Sequence, residues 1–310
     1  MYLKIFLLFL LFHSKISNCF EIEEIADGIF VHYGMQEDTN KSNHGDIANI
    51  GFIVGQTSIV VIDTGGTKVI GANLLKKLRT ISNLPISHVV ITHSHPDHFF
   101  GTESFLSQNA KIVGHEKLNR SLLGNFNFYK ELQINNTENL SLKNAKLIKA
   151  DTIIKTNKVL KIDIGNRIID IKAWKSGHTD NDLSVYDQKT KTFWSENIFV
   201  GRTPSIRASI LGWKKNLDEI KEMDIDLIVP GHGKVKKKDE ALKPIINYFD
   251  RLVEQVRNFH NKNISLQEAI NSELQNEIID SKKVNPEKWK LFTEYHYSNI
   301  TKVYTELEWE

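Results

Sequence analysis

Short apolar runs, separated by glycines and polar residues, dominate the first third of the chain. Ile29-Phe30-Val31-His32-Tyr33, Ile50-Gly51-Phe52-Ile53-Val54 and Ile59-Val60-Val61-Ile62 are rich in β-branched and aromatic residues and predict strands, with a loop over residues 45–49. Val69, Leu74, Leu75 and Leu78 then recur at helical spacing, which predicts a helix over residues 67–81 capped by Thr67. Val89-Val90-Ile91 returns to strand character, so one helix lies on one sheet. A short helix over 99–108, a strand at Ile112-Val113 and a helical stretch from His115 follow. Residues 121–142 are polar, with Phe126, Phe128 and Tyr129 interspersed, and read as a long inserted loop over the active-site mouth, its aromatics either packed on the domain's own surface or in contact with substrate.

The same alternation of patterns recurs in the second half. Residues 159–174 carry strand character through Ile162, Ile164, Ile168, Ile169 and Ile171. Residues 183–186 and 192–194 pair as a hairpin around 187–191, 217–223 form a short helix, and Leu227-Ile228-Val229 is the last strand. After Lys238 the period becomes helical, with a stripe of Leu242, Ile245, Ile246, Phe249, Leu252, Val253 and Val256. A helix over 266–278 capped by Ser265 comes next. A last stripe of Trp289, Phe292, His296, Ile300, Val303 and Leu307 reads as a face docked on its own domain.

Chemistry concentrates directly after the strand at 89–91, in His93-Ser94-His95-Pro96-Asp97-His98. Neutral imidazoles and carboxylates are the ligands of zinc-class ions. His93 and His95 alternate, so an extended backbone projects them from one side. Pro96 breaks the strand and turns Asp97 and His98 back over the same space. One segment therefore addresses two ions, His93 and His95 one, Asp97 and His98 the other. His44, His88 and His115 stand apart from that run and read as surface, structural or capping residues.

His93-x-His95-x-Asp97-His98 resembles the signature of the metallo-β-lactamase superfamily. Gly177-His178-Thr179-Asp180-Asn181-Asp182 resembles its loop for the third His of the first metal, and Pro230-Gly231-His232-Gly233 its loop for the last His of the second. Asp63, in Val61-Ile62-Asp63-Thr64-Gly65-Gly66, resembles the early Asp that supports the site from behind. The slot for an Asp that bridges both metals falls in Phe193-Trp194-Ser195-Glu196-Asn197, where Glu196 keeps the charge on a longer arm. Residues 200–205, Gly212-Trp213 and the tail from Tyr295-His296-Tyr297 to Glu310 are similar to the quinoprotein relay system zinc metallohydrolases, an exported branch associated with quinoprotein dehydrogenases.

The resemblance implies an α/β fold, an αββα four-layer sandwich over residues 20–238 with a C-terminal helical extension over 239–310 packed on it. It implies one or two Zn2+ ions: His93, His95 and His178 for the first, Asp97, His98 and His232 for the second, with Glu196 as a further ligand. Zinc lowers the pKa of bound water to about 7, and the resulting hydroxide attacks the substrate while Asp97 orients it. The expected activity is that of a zinc metallohydrolase on a small-molecule substrate. A glyoxalase II-like thioesterase, a β-lactamase, and a non-catalytic metal or cofactor carrier for a periplasmic dehydrogenase are the alternatives.

Composition narrows partners and place. Forty Lys and Arg against 38 Asp and Glu leave almost no net charge, so nothing favours nucleic acid. The single cysteine, Cys19, allows no intramolecular disulfide. Lys4 followed by the apolar run of residues 5–12 fits a signal peptide over 1–19 and is too short for a membrane span. A periplasmic or secreted protein is expected, with a possible periplasmic quinoprotein dehydrogenase as partner. Ile16-Ser17-Asn18-Cys19 also resembles a lipoprotein acylation box, and membrane attachment is expected only if Cys19 is lipidated.

Overall fold

The structure, a computed structural model, describes residues 20–271 and 289–310. The leader-like segment with Cys19, and residues 272–278 of the helix expected over 266–278, lie outside the described residues.

Seven strands form the first sheet in chain order: β1 (Glu23–Ala26), β2 (Ile29–His32), β3 (Ile50–Val54), β4 (Ile59–Ile62), β5 (Ile86–Val90), β6 (Lys111–His115) and β7 (Thr152–Ile154). Pairing is antiparallel up to β4 and parallel from β4 to β7. The second sheet runs β13 (Lys236–Lys237), β12 (Leu227–His232), β11 (Thr192–Phe199), β10 (Leu183–Asp187), β9 (Ile168–Ala173), β8 (Val159–Asp163), parallel only between β11 and β12.

Strand alternation assembles the layers. On β4, Val60 and Ile62 point into the core shared by the sheets, with Val185, Trp194 and Val229 from the other side. Ile59 and Val61 face outward onto α1 (Lys68–Ile81), through Ile70, Leu74 and Leu78. On β11, Trp194 faces inward and Phe193 outward, onto α4 (Ile210–Glu222) and α5 (Lys238–Asn261). The result is helix, sheet, sheet, helix. The α5 stripe expected from the period, with Leu242, Ile245 and Phe249, forms the outer layer of the second half; Ile300, Val303 and Leu307 of α7 (Phe292–Leu307) dock on that same cluster. Between them, α6 (Leu266–Asn271) starts at a reciprocal cap in which the Ser265 hydroxyl and the Glu268 carboxylate serve each other's backbone N–H.

Three expectations need correction. Residues 121–142 are mostly helix, α3 (Leu118–Thr137): Leu118, Leu122 and Phe126 recur every four residues and bury on the first half, a stripe masked by the asparagines and Gly124 between them. His115 does not begin a helix. It ends β6, fully buried, with Nε2 3.1 Å from the Trp174 carbonyl. The helix placed at 217–223 begins at Ile210, where the Ser209 hydroxyl accepts from the Gly212 N–H and Trp213 buries completely.

Polar ties link the halves, two of them built on Asn49 and Arg167. The Asn49 amide donates to the Pro230 and Gly233 carbonyls at 2.8 and 2.7 Å, beside His232. At the rim where β4 begins, buried Arg167 grips Asp187 in a fork (2.9 and 2.8 Å) and donates to the Val54 and Asp27 carbonyls (2.9 and 2.8 Å).

Candidate metal centre

The chemistry-bearing residues gather at the opposite rim, where the parallel strands end. β4 stops at Ile62, and Asp63 turns the chain with φ +54, in the left-handed region. Its carboxylate accepts from the Thr92 N–H (2.8 Å) and hydroxyl (2.7 Å), which holds the chain just after β5. His98 Nδ1 lies 2.6 Å from the same carboxylate. With Nδ1–H donated there, Nε2 of His98 is left to face the centre. His98 and Asp97 sit on α2 (Pro96–Phe99), started by Pro96 at a position where its missing N–H costs nothing.

The other ligands arrive from the second half. His178, in the β9–β10 loop, has Nδ1 at 2.8 Å from the Ser205 carbonyl, so its Nε2 points inward. His232, at the end of β12, has Nδ1 at 2.8 Å from the Ile47 carbonyl. Two groups of ligand atoms result, His93 with His95 and His178, and Asp97 with His98 and His232, each within 4.8 Å of one another. Within the first, His178 Nε2 and His95 Nδ1 are 3.1 Å apart. Within the second, Asp97 Oδ2 is 3.3 Å from His98 Nε2 and 3.6 Å from His232 Nε2. The His93 and His98 rings, 4.3 Å apart, place the groups side by side.

Electrostatics suit a cation. Burial, followed by neighbouring imidazoles or Arg202, holds His93, His178 and His232 well below the usual histidine range, and burial brings His95 to about 4. Neutral imidazoles with free lone pairs are the ligating form. His98 is the exception: burial opposes its charge, but the Asp97 and Asp63 carboxylates outweigh burial and raise it to about 10. Burial pushes Asp97 up, yet His98, by charge and hydrogen bond, and then His232 and His95 keep it well below the carboxylate range.

Glu196 lies within β11, 1 % exposed, with neither carboxylate oxygen hydrogen-bonded among the described residues. Burial, then Asp182 and Asp63, push its carboxyl well above the usual range. It belongs to neither group of three, although the charge of His98 reaches it. A side chain at Gly231 would meet the Glu196 Cα at 2.7 Å, so glycine there lets β12, just before His232, press on β11. His93 Nε2 is likewise buried with no partner. Buried polar atoms in proteins are normally paired. Orphaned nitrogen and oxygen donors amid imidazoles and a carboxylate fit a zinc-class ion.

A cleft of about 620 Å³ opens over the centre, reaching His95 and Asp97. Beside Phe128 and Tyr129, aromatics of the segment expected over the mouth, its walls include residues to which the sequence assigned no chemistry. Phe128, Tyr129 and Leu132 come from α3, Arg202 and Arg207 from the loop before α4, and Tyr295 from α7. Arg202 and Tyr295 stood inside quoted motifs, and Phe128 and Leu132 at helical spacing. Arg207 carries no signal in the pattern. Asp182, also unassigned, accepts from the Thr179 N–H at 3.0 Å and shapes the His178 loop.

A sequence model of the metallo-β-lactamase superfamily matches residues 45–232. A linear primary-alkylsulfatase from Pseudomonas sp. is 21% identical over 248 residues, covering 68% of this chain and 47% of the relative. Among solved structures, the stereoselective inverting sec-alkylsulfatase Pisa1 from Pseudomonas sp. aligns at 17% identity and TM-score 0.69, over 92% of this chain and 50% of that one. A metallo-β-lactamase from Pontibacter korlensis aligns at 18% identity and TM-score 0.59, over 74% of this chain and 98% of that one. The chain thus spans about half the length of these alkylsulfatases. At these identities the structural likeness is one of fold.

Proposed function

We propose that this chain, which belongs to the metallo-β-lactamase superfamily, is a zinc-dependent hydrolase of a small-molecule ester or amide. The observation that carries this reading is the convergence of two ligand triads from three loops at the floor of an open cleft. The alkylsulfatase and lactamase relatives are hydrolases by name, which supports the reaction class.

Zinc-class ions in the triads would supply a hydroxide nucleophile at neutral pH and positive charge for the oxygen that departs. The chain's own residues do the rest. Asp97, at the cleft floor, accepts the proton-bearing side of the attacking water and aligns it. Asp63 holds His98, and the Ser205 and Ile47 carbonyls hold His178 and His232, so each ring stays turned toward the centre. Glu196, buried with oxygens that have no partner among the described residues, would be a further ligand.

Export rests on the leader-like residues 1–19, and association with a quinoprotein dehydrogenase on the motif resemblance at 200–205, 212–213 and 295–310. We propose both on those grounds.

The test is a panel of thioester, lactam, lactone, phosphodiester and sulfate-ester substrates, with and without chelator. Turnover that chelator abolishes and zinc restores, and that His95→Ala or His178→Ala eliminates with the fold intact, supports the reading. Turnover that persists in metal-stripped His95→Ala refutes it.

A further inference from the structure

The hydrolase reading leaves the substrate open, and the walls of the cleft restrict it; the inference rests on that reading. α3 buries Leu122 and Phe126 on its own domain but turns a second apolar face to the cleft. Phe128 and Leu132, one turn apart on that face, remain 64% and 39% exposed. Large apolar side chains clustered at the mouth of a polar site mark a surface that something apolar covers.

The same cleft carries two guanidinium groups, one beside each triad. Arg202 is 5% exposed, with Nη1 3.2 Å from His232 Nδ1. It donates at 3.2 Å to the Glu37 carbonyl and to Asp38, and its Nε has no partner among the described residues. Arg207 is fixed by its backbone, since its N–H and that of Ala208 donate to the His178 carbonyl at 3.1 and 3.2 Å. Its side chain lines the cleft and forms no ion pair or hydrogen bond among the described residues. Two cationic forks with spare donors match an oxyanion head group, which accepts several N–H bonds at once. Arg202 is already shared with Asp38, so Arg207 is the free receiver.

We infer that the substrate is an amphiphilic anion: an oxyanion head received by Arg207, with Arg202 behind it, and an apolar chain lying on Phe128 and Leu132. Tyr295 joins this wall from α7, outside the span 45–232 shared with the superfamily. It donates to Asp38 at 2.6 Å and so sets the carboxylate that Arg202 shares. Tyr295 is a positioning residue for the head group.

The test uses decane-1-sulfonate, whose carbon–sulfur bond the proposed hydrolysis does not cleave, below its micellar concentration, by titration calorimetry on the full chain with and without zinc. The expected result is saturable binding in both forms. Affinity should fall about tenfold or more in Arg207→Gln and be largely restored in Arg207→Lys. From butane- to decane-sulfonate it should rise up to about fourfold per methylene, and Phe128→Ser should flatten that dependence while sparing butane-sulfonate. Decanoate and decylphosphonate in parallel tell which acid the site prefers. Both substituted side chains are exposed, so folding is not at stake. Equal binding of decyltrimethylammonium, no dependence on chain length, or unchanged binding in Arg207→Gln overturns the inference. Metal-dependent turnover on the substrate panel is read separately, so failure here leaves the hydrolase reading standing, and its failure leaves this binding measurement decisive.

Discussion

Replacing Glu196 by Met separates what the fold wants from what the centre wants. The two side chains are similar in length, and Met has no oxygen to leave unpaired. Both Glu196 oxygens are buried with no partner among the described residues, near Asp182 and Asp63. An unsatisfied buried polar group costs about 1–3 kcal/mol. Removing it should therefore stabilise the metal-free chain by roughly 2 kcal/mol. The pH dependence has a defined sign. A carboxyl raised in the folded state stays protonated while the unfolded chain ionises above 4.5, so it weakens the metal-free wild type as pH rises from there, and the variant should lose that part of the slope. With zinc the order should invert. An ion at a thousand times its dissociation constant adds about 4 kcal/mol, and a chain short of one ligand forfeits much of it. Urea denaturation at pH 7, in chelator and then in zinc, reads both. A variant less stable than wild type in chelator, or an unchanged response to zinc, refutes the reasoning.

The remaining predictions draw on other parts of the fold. His98, held near 10 by Asp97 and Asp63 once burial is overcome, carries a proton that an arriving ion displaces, so zinc affinity should rise with pH up to about 10; calorimetry in buffers of different ionisation enthalpy should count a released proton. Buried His296, brought by burial to about 4 from an ordinary 6.5, stays neutral in the fold while the unfolded chain protonates, so it should weaken the protein by on the order of 3 kcal/mol between those pH values, a slope that His296→Gln should lack in denaturation series. Arg167→Met strands a buried carboxylate and should cost about 3–5 kcal/mol of stability in chemical denaturation, with bound zinc unchanged because the clamp lies at the far rim.

The metal residues are legible because their chemistry is local. His93, His95, Asp97 and His98 sit in one turn, and the strand before them fixes which way they project. His178, His232 and Asp63 were reachable only by likeness, since nothing in their own neighbourhoods says that three loops meet. The layered fold divides in the same way. Alternation on β4 and the stripe of α5 can be read from period alone, whereas the facing of two sheets is a long-range fact that no window of residues carries. α3 escaped because its stripe is diluted by polar residues and it buries one face while offering another to the cleft. Part of the wall escaped for a related reason: the Arg207 side chain has no partner among the described residues to betray it.

Elemental analysis of the purified chain after dialysis against trace zinc tests the central claim most directly. Two zinc-class ions per chain are predicted for the wild type, with one lost in His178→Ala and the other in His232→Ala. A correctly folded wild type that retains no stoichiometric metal, or single variants that leave the metal count unchanged, would contradict the account.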